Sequence, residues 1–116
     1  MLCYISYGQN YVMKGNAAYN TGNYSAAIDY FSKYDKIALD ADILERRGMS
    51  YYHVNDLKKA IRDFTNAKKL GNSNPDMYYR MGVIKHNLGE IEEAVFFYNT
   101  FIDQVDDEHK DYSRLH

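Results

Sequence analysis

Tryptophan is absent from this chain of 116 residues, and proline and cysteine occur once each. Each shortage excludes something. One cysteine, Cys3, cannot close an internal disulfide, which fits a reducing, cytoplasmic setting. One proline, with glycines confined to particular places, argues for helices joined by short turns. A basic excess is missing too: 14 Lys and Arg stand against 16 Asp and Glu, a net charge of −2, so phosphate-backbone binding to nucleic acid is not expected. Long apolar runs are also lacking. The longest, Ala94 through Tyr98, is far below the ~20 residues that span a bilayer. The opening Met1-Leu2-Cys3-Tyr4-Ile5 has neither a basic leader nor a small-residue cleavage site, so it does not read as a signal peptide.

What is present is a period. Gly15, Gly48 and Gly82 are separated by 33 and 34 residues, and so are Ala27, Ala60 and Ala94. Phe31, Phe64 and Tyr98 keep the same two spacings, as do Tyr24, Leu57 and Ile91, and Gly22, Asn55 and Gly89. Five columns in one register mean three copies of one supersecondary unit. Each copy reads as two helices, at about 8–21 and 24–38, then 41–54 and 57–70, then 75–88 and 91–105. The breaks Thr21-Gly22-Asn23, Asn55-Asp56 and Leu88-Gly89-Glu90 carry Gly or Asn, which accept the left-handed backbone of a helix end. Asn23 and Asp56 then serve as N-caps, and Pro75 suits a first helical position after Gly71-Asn72-Ser73-Asn74.

Glycine inside a helix costs about 1 kcal/mol relative to alanine. Its recurrence at 15, 48 and 82 implies a close helix approach, with Ala27, Ala60 and Ala94 as the expected facing residues. Phe31, Phe64 and Tyr98 would fill the space between copies, since no helix pair buries its apolar stripe alone.

These residues resemble the tetratricopeptide repeat family. The likeness rests on Lys14-Gly15…Gly22-Asn23-Tyr24-Ser25-Ala26-Ala27-Ile28…Phe31, on Arg47-Gly48…Asp56-Leu57-Lys58-Lys59-Ala60-Ile61…Phe64, and on Met81-Gly82…Gly89-Glu90-Ile91-Glu92-Glu93-Ala94-Val95…Tyr98. The family's bulky first-helix residue appears as Tyr11, Leu44 and Tyr78. The resemblance implies an all-α solenoid: a right-handed superhelix of three antiparallel helix–turn–helix repeats at 8–40, 41–74 and 75–106. Residues 1–7 would be an N-terminal cap or the remnant of a preceding repeat, and 107–116 a short C-terminal capping segment. Two positions depart from the pattern. Lys85 stands where Ala18 and Tyr51 predict a packed residue, and Tyr34 replaces the small residue expected from Ala67.

The resemblance further implies a concave groove lined by the first helices, where the family binds peptides or protein segments. By register the groove takes Asn16, Tyr19 and Asn20 from the first repeat, and Arg46, Met49, Tyr52 and His53 from the second. The third contributes Tyr79, Arg80, Val83, His86 and Asn87. Aromatic faces, a forked cation and amides make a recognition set suited to peptide. One subgroup clamps chaperone C-terminal carboxylates with two Lys, two Asn and an Arg. Only Asn16 and Arg80 match, with Val12, Arg46 and Asp76 in the other places, so that clamp is not supported.

Catalysis and metal binding find no footing. His53 and His86 lack the third and fourth ligands a metal needs, Cys3 has no base placed beside it, and the isolated glycines build no phosphate loop. No cofactor and no enzymatic activity are expected. Asp106-Asp107-Glu108 reads as the acidic start of a final helix, with capture of a basic peptide as the alternative. The third copy's second helix is apolar around much of its girth, through Val95, Phe96, Phe97, Tyr98, Phe101, Ile102 and Val105. Phe96 and Phe97 stand where earlier copies carry Asp29-Tyr30 and Arg62-Asp63, and are expected to form a self-association or partner patch. The leading expectation is a protein-interaction module. A homo-oligomeric scaffold built on the last repeat, or a regulatory domain cut from a larger protein, are the alternatives.

Overall fold

The structure, a computed structural model, describes residues 6–114, with side chains described through Asp107. Six α-helices run Tyr7–Asn20 (α1), Tyr24–Ser32 (α2), Ala41–His53 (α3), Leu57–Lys69 (α4), Pro75–Asn87 (α5) and Ile91–Arg114 (α6), and a short 3-10 turn covers Ile37–Leu39. Among the described residues there is no strand. The chain divides into two compact units, one ending at Asn72 with α1 to α4 and one from Ser73 with α5 and α6.

The turns within the three helix pairs are built alike. Gly22, Asn55 and Gly89 hold φ of 80°, 66° and 79°. This left-handed step is cheap for glycine and tolerated by asparagine. The next amide then reaches back to a carbonyl in the last turn: Asn23 to Ala18 at 2.8 Å, Asp56 to Tyr51 at 2.8 Å and Glu90 to Lys85 at 2.9 Å. These bonds satisfy acceptors that the helix end leaves open. Asn23 and Asp56 cap α2 and α4 by accepting from the amides of Ala26 and Lys59, and Pro75 opens α5 after the N-cap Asn74.

The recurrent glycines do mark close approaches, but the neighbour is not the expected alanine. A Cβ at Gly15 would meet the Phe31 ring at 2.5 Å. At Gly48 it would meet Phe64 at 2.7 Å, and at Gly82 Tyr98 at 2.7 Å. The aromatic ring of each second helix therefore lies flat over the glycine of its own first helix. Ala27, Ala60 and Ala94 are buried beside these contacts. In the first unit, Ala27, Phe31 and Ile43 form a cluster joined by Val12, Ala18, Tyr19, Tyr34 and Ile37.

Two helices differ from their expected lengths. α2 stops at Ser32 rather than near residue 38. Tyr34 turns in there, its hydroxyl donating to an Asp40 carboxylate oxygen at 3.1 Å. The other Asp40 oxygen accepts from the Ile43 amide and caps α3, so one carboxylate ends the connection and begins the next helix. The aromatic at the expected small position sits where α2 has already ended. At the other end, α6 continues to Arg114 as one helix, so Asp106 and Asp107 lie inside it rather than beginning a new one. No turn former interrupts the helical period there. Of the expected N-terminal cap, residues 1–5 lie outside the described residues. Ser6 caps α1 by accepting from the Gln9 amide, and Tyr7 is its first residue. The side chains of the expected C-terminal cap beyond Asp107 also lie outside the described residues.

Candidate functional site

The groove residues of the first unit come together in two sets. Arg46 in α3 donates from Nη1 to the Asn16 Oδ1 in α1 at 2.7 Å, joining the two first helices by a charge-assisted bond. A run of aromatic side chains follows. Tyr19 meets Tyr24 edge to face at 5.9 Å, Tyr24 stacks on His53 at 4.3 Å, and His53 meets Tyr52 edge to face at 5.6 Å. Tyr24 belongs to α2, so a second-helix residue completes a surface that register alone gave to first helices. Asn20 and His53 are exposed, while Asn16, Tyr19, Arg46 and Tyr52 are half-buried. Met49 is buried, 8% exposed, and serves the packing more than any open surface.

The second unit has its own set. Tyr79 is exposed, with its ring 6.0 Å from Tyr98 and 5.4 Å from Phe101. The Arg80 guanidinium lies 5.7 Å from the Tyr79 ring centre, within cation–π range. His86 stands edge-on to Tyr98 at 6.5 Å. Val83 is half-buried; His86 and Asn87 are exposed. Both groove histidines therefore contact aromatic rings, and among the described residues no three His, Cys, Asp or Glu side chains converge as metal ligands would.

Three features lay beyond the sequence reading. Arg47 forms a bidentate pair with Asp63, Nε to Oδ2 at 2.7 Å and Nη2 to Oδ1 at 2.9 Å, and Asp63 is fully buried. The hydrogen bond it donates to Asp63 raises the Arg47 pKa above its ordinary value, against the opposing pull of burial. The signal was present in the repeat columns, since only the second repeat places opposite charges at the positions of Lys14 with Tyr30 and Met81 with Phe97. The second feature is a shallow bowl of about 430 Å³ between Gln9, Val12, Met13, Tyr34 and Asp40. Burial and the Asp40 contact push the Tyr34 hydroxyl pKa up. The third is the pairing of Lys85, whose ammonium lies 2.6 Å from Glu90 and 2.8 Å from Glu93. Its stem occupies the packed position and its charge leaves by the turn.

The expected aromatic patch is corrected in one member. Phe97 is 9% exposed and stacks over Tyr78 at 6.4 Å, whereas Phe96 is 57% exposed. The Asp63 and Phe97 column points inward in both units, so Phe97 is core and Phe96 alone remains at the surface.

A family model described as tetratricopeptide repeat matches residues 8–40 and 75–103, more than half of the chain. The chain belongs to the tetratricopeptide repeat family. Human DnaJ homolog subfamily C member 3 is 32% identical over 76 residues, covering 65% of this chain and 15% of that protein. Heat shock protein sti1 homolog of Schizosaccharomyces pombe is 32% identical over 84 residues, covering 70% of this chain and 14% of that protein. This tetratricopeptide chain thus spans about one-seventh of the length of such relatives. Among solved structures, the second tetratricopeptide domain of Spaghetti (RPAP3), bound to the HSP90 peptide SRMEEVD, superposes with a TM-score of 0.71 at 24% identity. That match covers 84% of this chain and 91% of that domain, and at this identity it shows the helical-repeat solenoid fold. Among the described residues, no helix is long and apolar enough to cross a membrane.

Proposed function

We propose that this chain is a non-catalytic interaction module that binds an extended segment of another protein along α1 and α3. The observation that carries the reading is the Arg46–Asn16 pair, which sets a forked cation and an amide between α1 and α3, the helices that also carry Tyr19, Tyr52 and His53. Guanidinium and amide groups recognise peptide carbonyls and carboxylates, and the half-buried rings supply rigid contact area at low entropic cost. Tyr79, Arg80, Val83, His86 and Asn87 on α5 give the second unit a recognition set of its own.

The solved relative bound to SRMEEVD makes that peptide the first probe. Two of five clamp positions match, so terminal-carboxylate capture should be weak and internal peptide segments preferred. The test is selection from a displayed peptide library, followed by calorimetry with the selected peptides. Binding that Tyr52→Ala and Arg46→Ala each weaken by about tenfold or more supports the groove. Selected peptides that bind these variants as well as the original chain would overturn it.

A further inference from the structure

The residues Ile91, Val95, Tyr98, Ile102 and Val105 follow one another along α6 at alternating steps of four and three. That spacing lays them in one stripe along the helix. Tyr98 is half-buried against Gly82, but Ile91, Val95, Ile102 and Val105 are 41–51% exposed. Four aliphatic residues in one open stripe are unlike the scattered apolar residues of an ordinary surface.

The first unit shows what such a stripe accepts. Tyr24 and Phe31 of α2 hold the repeat positions of Ile91 and Tyr98. There the stripe is covered by a helix: α3 stacks His53 on Tyr24 at 4.3 Å and brings Ile43 into one cluster with Ala27 and Phe31. α3 also sends Arg47 Nη1 to the Ser32 hydroxyl along the edge of that stripe, at 3.3 Å. On α6 the matching edge has changed charge. Ser25 and Ser32 of α2 become Glu92 and Asn99, and the longer α6 adds Asp103 and Asp106, all exposed.

We propose that the open stripe of α6 docks an amphipathic helix of a partner protein, with aliphatic residues at steps of three and four and Lys or Arg along one edge. The aliphatic row would cover Ile91, Val95, Ile102 and Val105, and the basic edge would face Glu92, Asp103 and Asp106. A second copy of this chain fits less well. Antiparallel pairing of two α6 helices sets Glu92 of one copy beside Asp106 of the other. The first helix of a second copy offers Asn10 where α3 offers Ile43. The stripe is also narrow compared with the ~800 Å² per partner of a standard interface, so binding should be micromolar and salt-sensitive. This inference stands apart from the groove reading, since none of its residues belongs to the groove.

The probe is a synthetic helical peptide with Leu at the seam positions and Lys along one edge, together with a twin carrying Glu at the edge. Titrated against the full chain by fluorescence anisotropy, the Lys-edged peptide should bind at least about tenfold tighter than its twin, and added salt should shrink that difference. Val95→Asp and Ile102→Asp, both at exposed positions, should abolish binding while the circular dichroism stays unchanged. Arg46→Ala should leave it intact, which separates this site from the groove. Equal binding of the two peptides, or binding of neither, overturns the proposal. So does a concentration-dependent dimer, by light scattering, that Val95→Asp converts to monomer, because a second copy would then be the occupant.

Discussion

The α3–α4 and α5–α6 hairpins share one backbone plan and fill it with opposite chemistry. Each has a glycine beneath an aromatic ring, Gly48 under Phe64 and Gly82 under Tyr98. Each closes its turn with a left-handed residue, Asn55 or Gly89. Yet the inward positions held by Arg47 and Asp63 in the first are Met81 and Phe97 in the second. One hairpin buries an ion pair where the other buries an apolar one. The repeat register thus fixes geometry, and side-chain chemistry varies within it where a buried charge finds its partner.

The comparison breaks most sharply at Asp63. Asp63→Asn keeps the shape but leaves Arg47 with a neutral partner in a site where the carboxylate is fully buried. Losing one member of a buried pair costs about 3–5 kcal/mol, and the low end applies because Arg47 keeps some exposure. Urea unfolding should show a loss of about 3 kcal/mol. A loss near that of a surface substitution would mean the pair contributes little. The double change Arg47→Met with Asp63→Phe sharpens the same point, since it writes the second hairpin's chemistry into the first. Replacing both partners by apolar groups is often neutral or stabilising, so the double variant should be at least about 2 kcal/mol more stable than Asp63→Asn. A double variant as unstable as the single one would show that the hairpins differ in shape as well as chemistry.

A smaller effect tests what the hairpins have in common. Gly48→Ala would gain up to about 1 kcal/mol of helix propensity on an open helix. Here the new methyl meets Phe64 at 2.7 Å, a ring with no exposed surface to retreat into. Overpacking of about 1–3 kcal/mol should outweigh the gain and leave a net loss of about 1–2 kcal/mol in the same unfolding measurement. A stabilised variant would show that Phe64 can move aside.

How far the sequence could be read follows from which interactions repeat. The three-fold columns disclosed the helix pairs, their turns and caps, because the same backbone need recurs at Gly22, Asn55 and Gly89. They also exposed the tight positions at Gly15, Gly48 and Gly82, although not that a ring rather than an alanine presses on them. What occurs once was harder to see. The Tyr34–Asp40 contact lies just beyond α2: Tyr34 stands out in its column, but local propensity does not mark Asp40 as its partner. Phe97 reads as exposed by analogy with the charged Asp63, because a buried carboxylate looks like a surface residue until its partner Arg47 is found. Asn16 and Arg46 both fall in the groove by register, but their direct bond depends on side-chain reach that spacing does not convey.

The mildest test concerns Lys85, where the second hairpin carries a charge and the first carries the buried Tyr51. Hydrogen bonds to Glu90 and then Glu93 raise the Lys85 pKa above its ordinary 10.5, and the bond to Lys85 lowers the Glu93 pKa below its ordinary 4.5. A cation with a raised pKa contributes stability that is complete below 10.5 and fades as the pH climbs past the folded value. A carboxylate with a lowered pKa contributes above 4.5 and fades as the pH falls. The cluster therefore acts between those limits and is lost first on the acid side. Lys85→Met removes the cluster while keeping the stem in its packed place. Thermal melts should find the original chain slightly ahead of the variant at neutral pH, with its lead shrinking once the pH falls well below 4.5 or the salt is raised. The absence of any gap between the two, at every pH and salt concentration, would mean that only the methylene stem of Lys85 matters, and that packing alone decides this column in each hairpin.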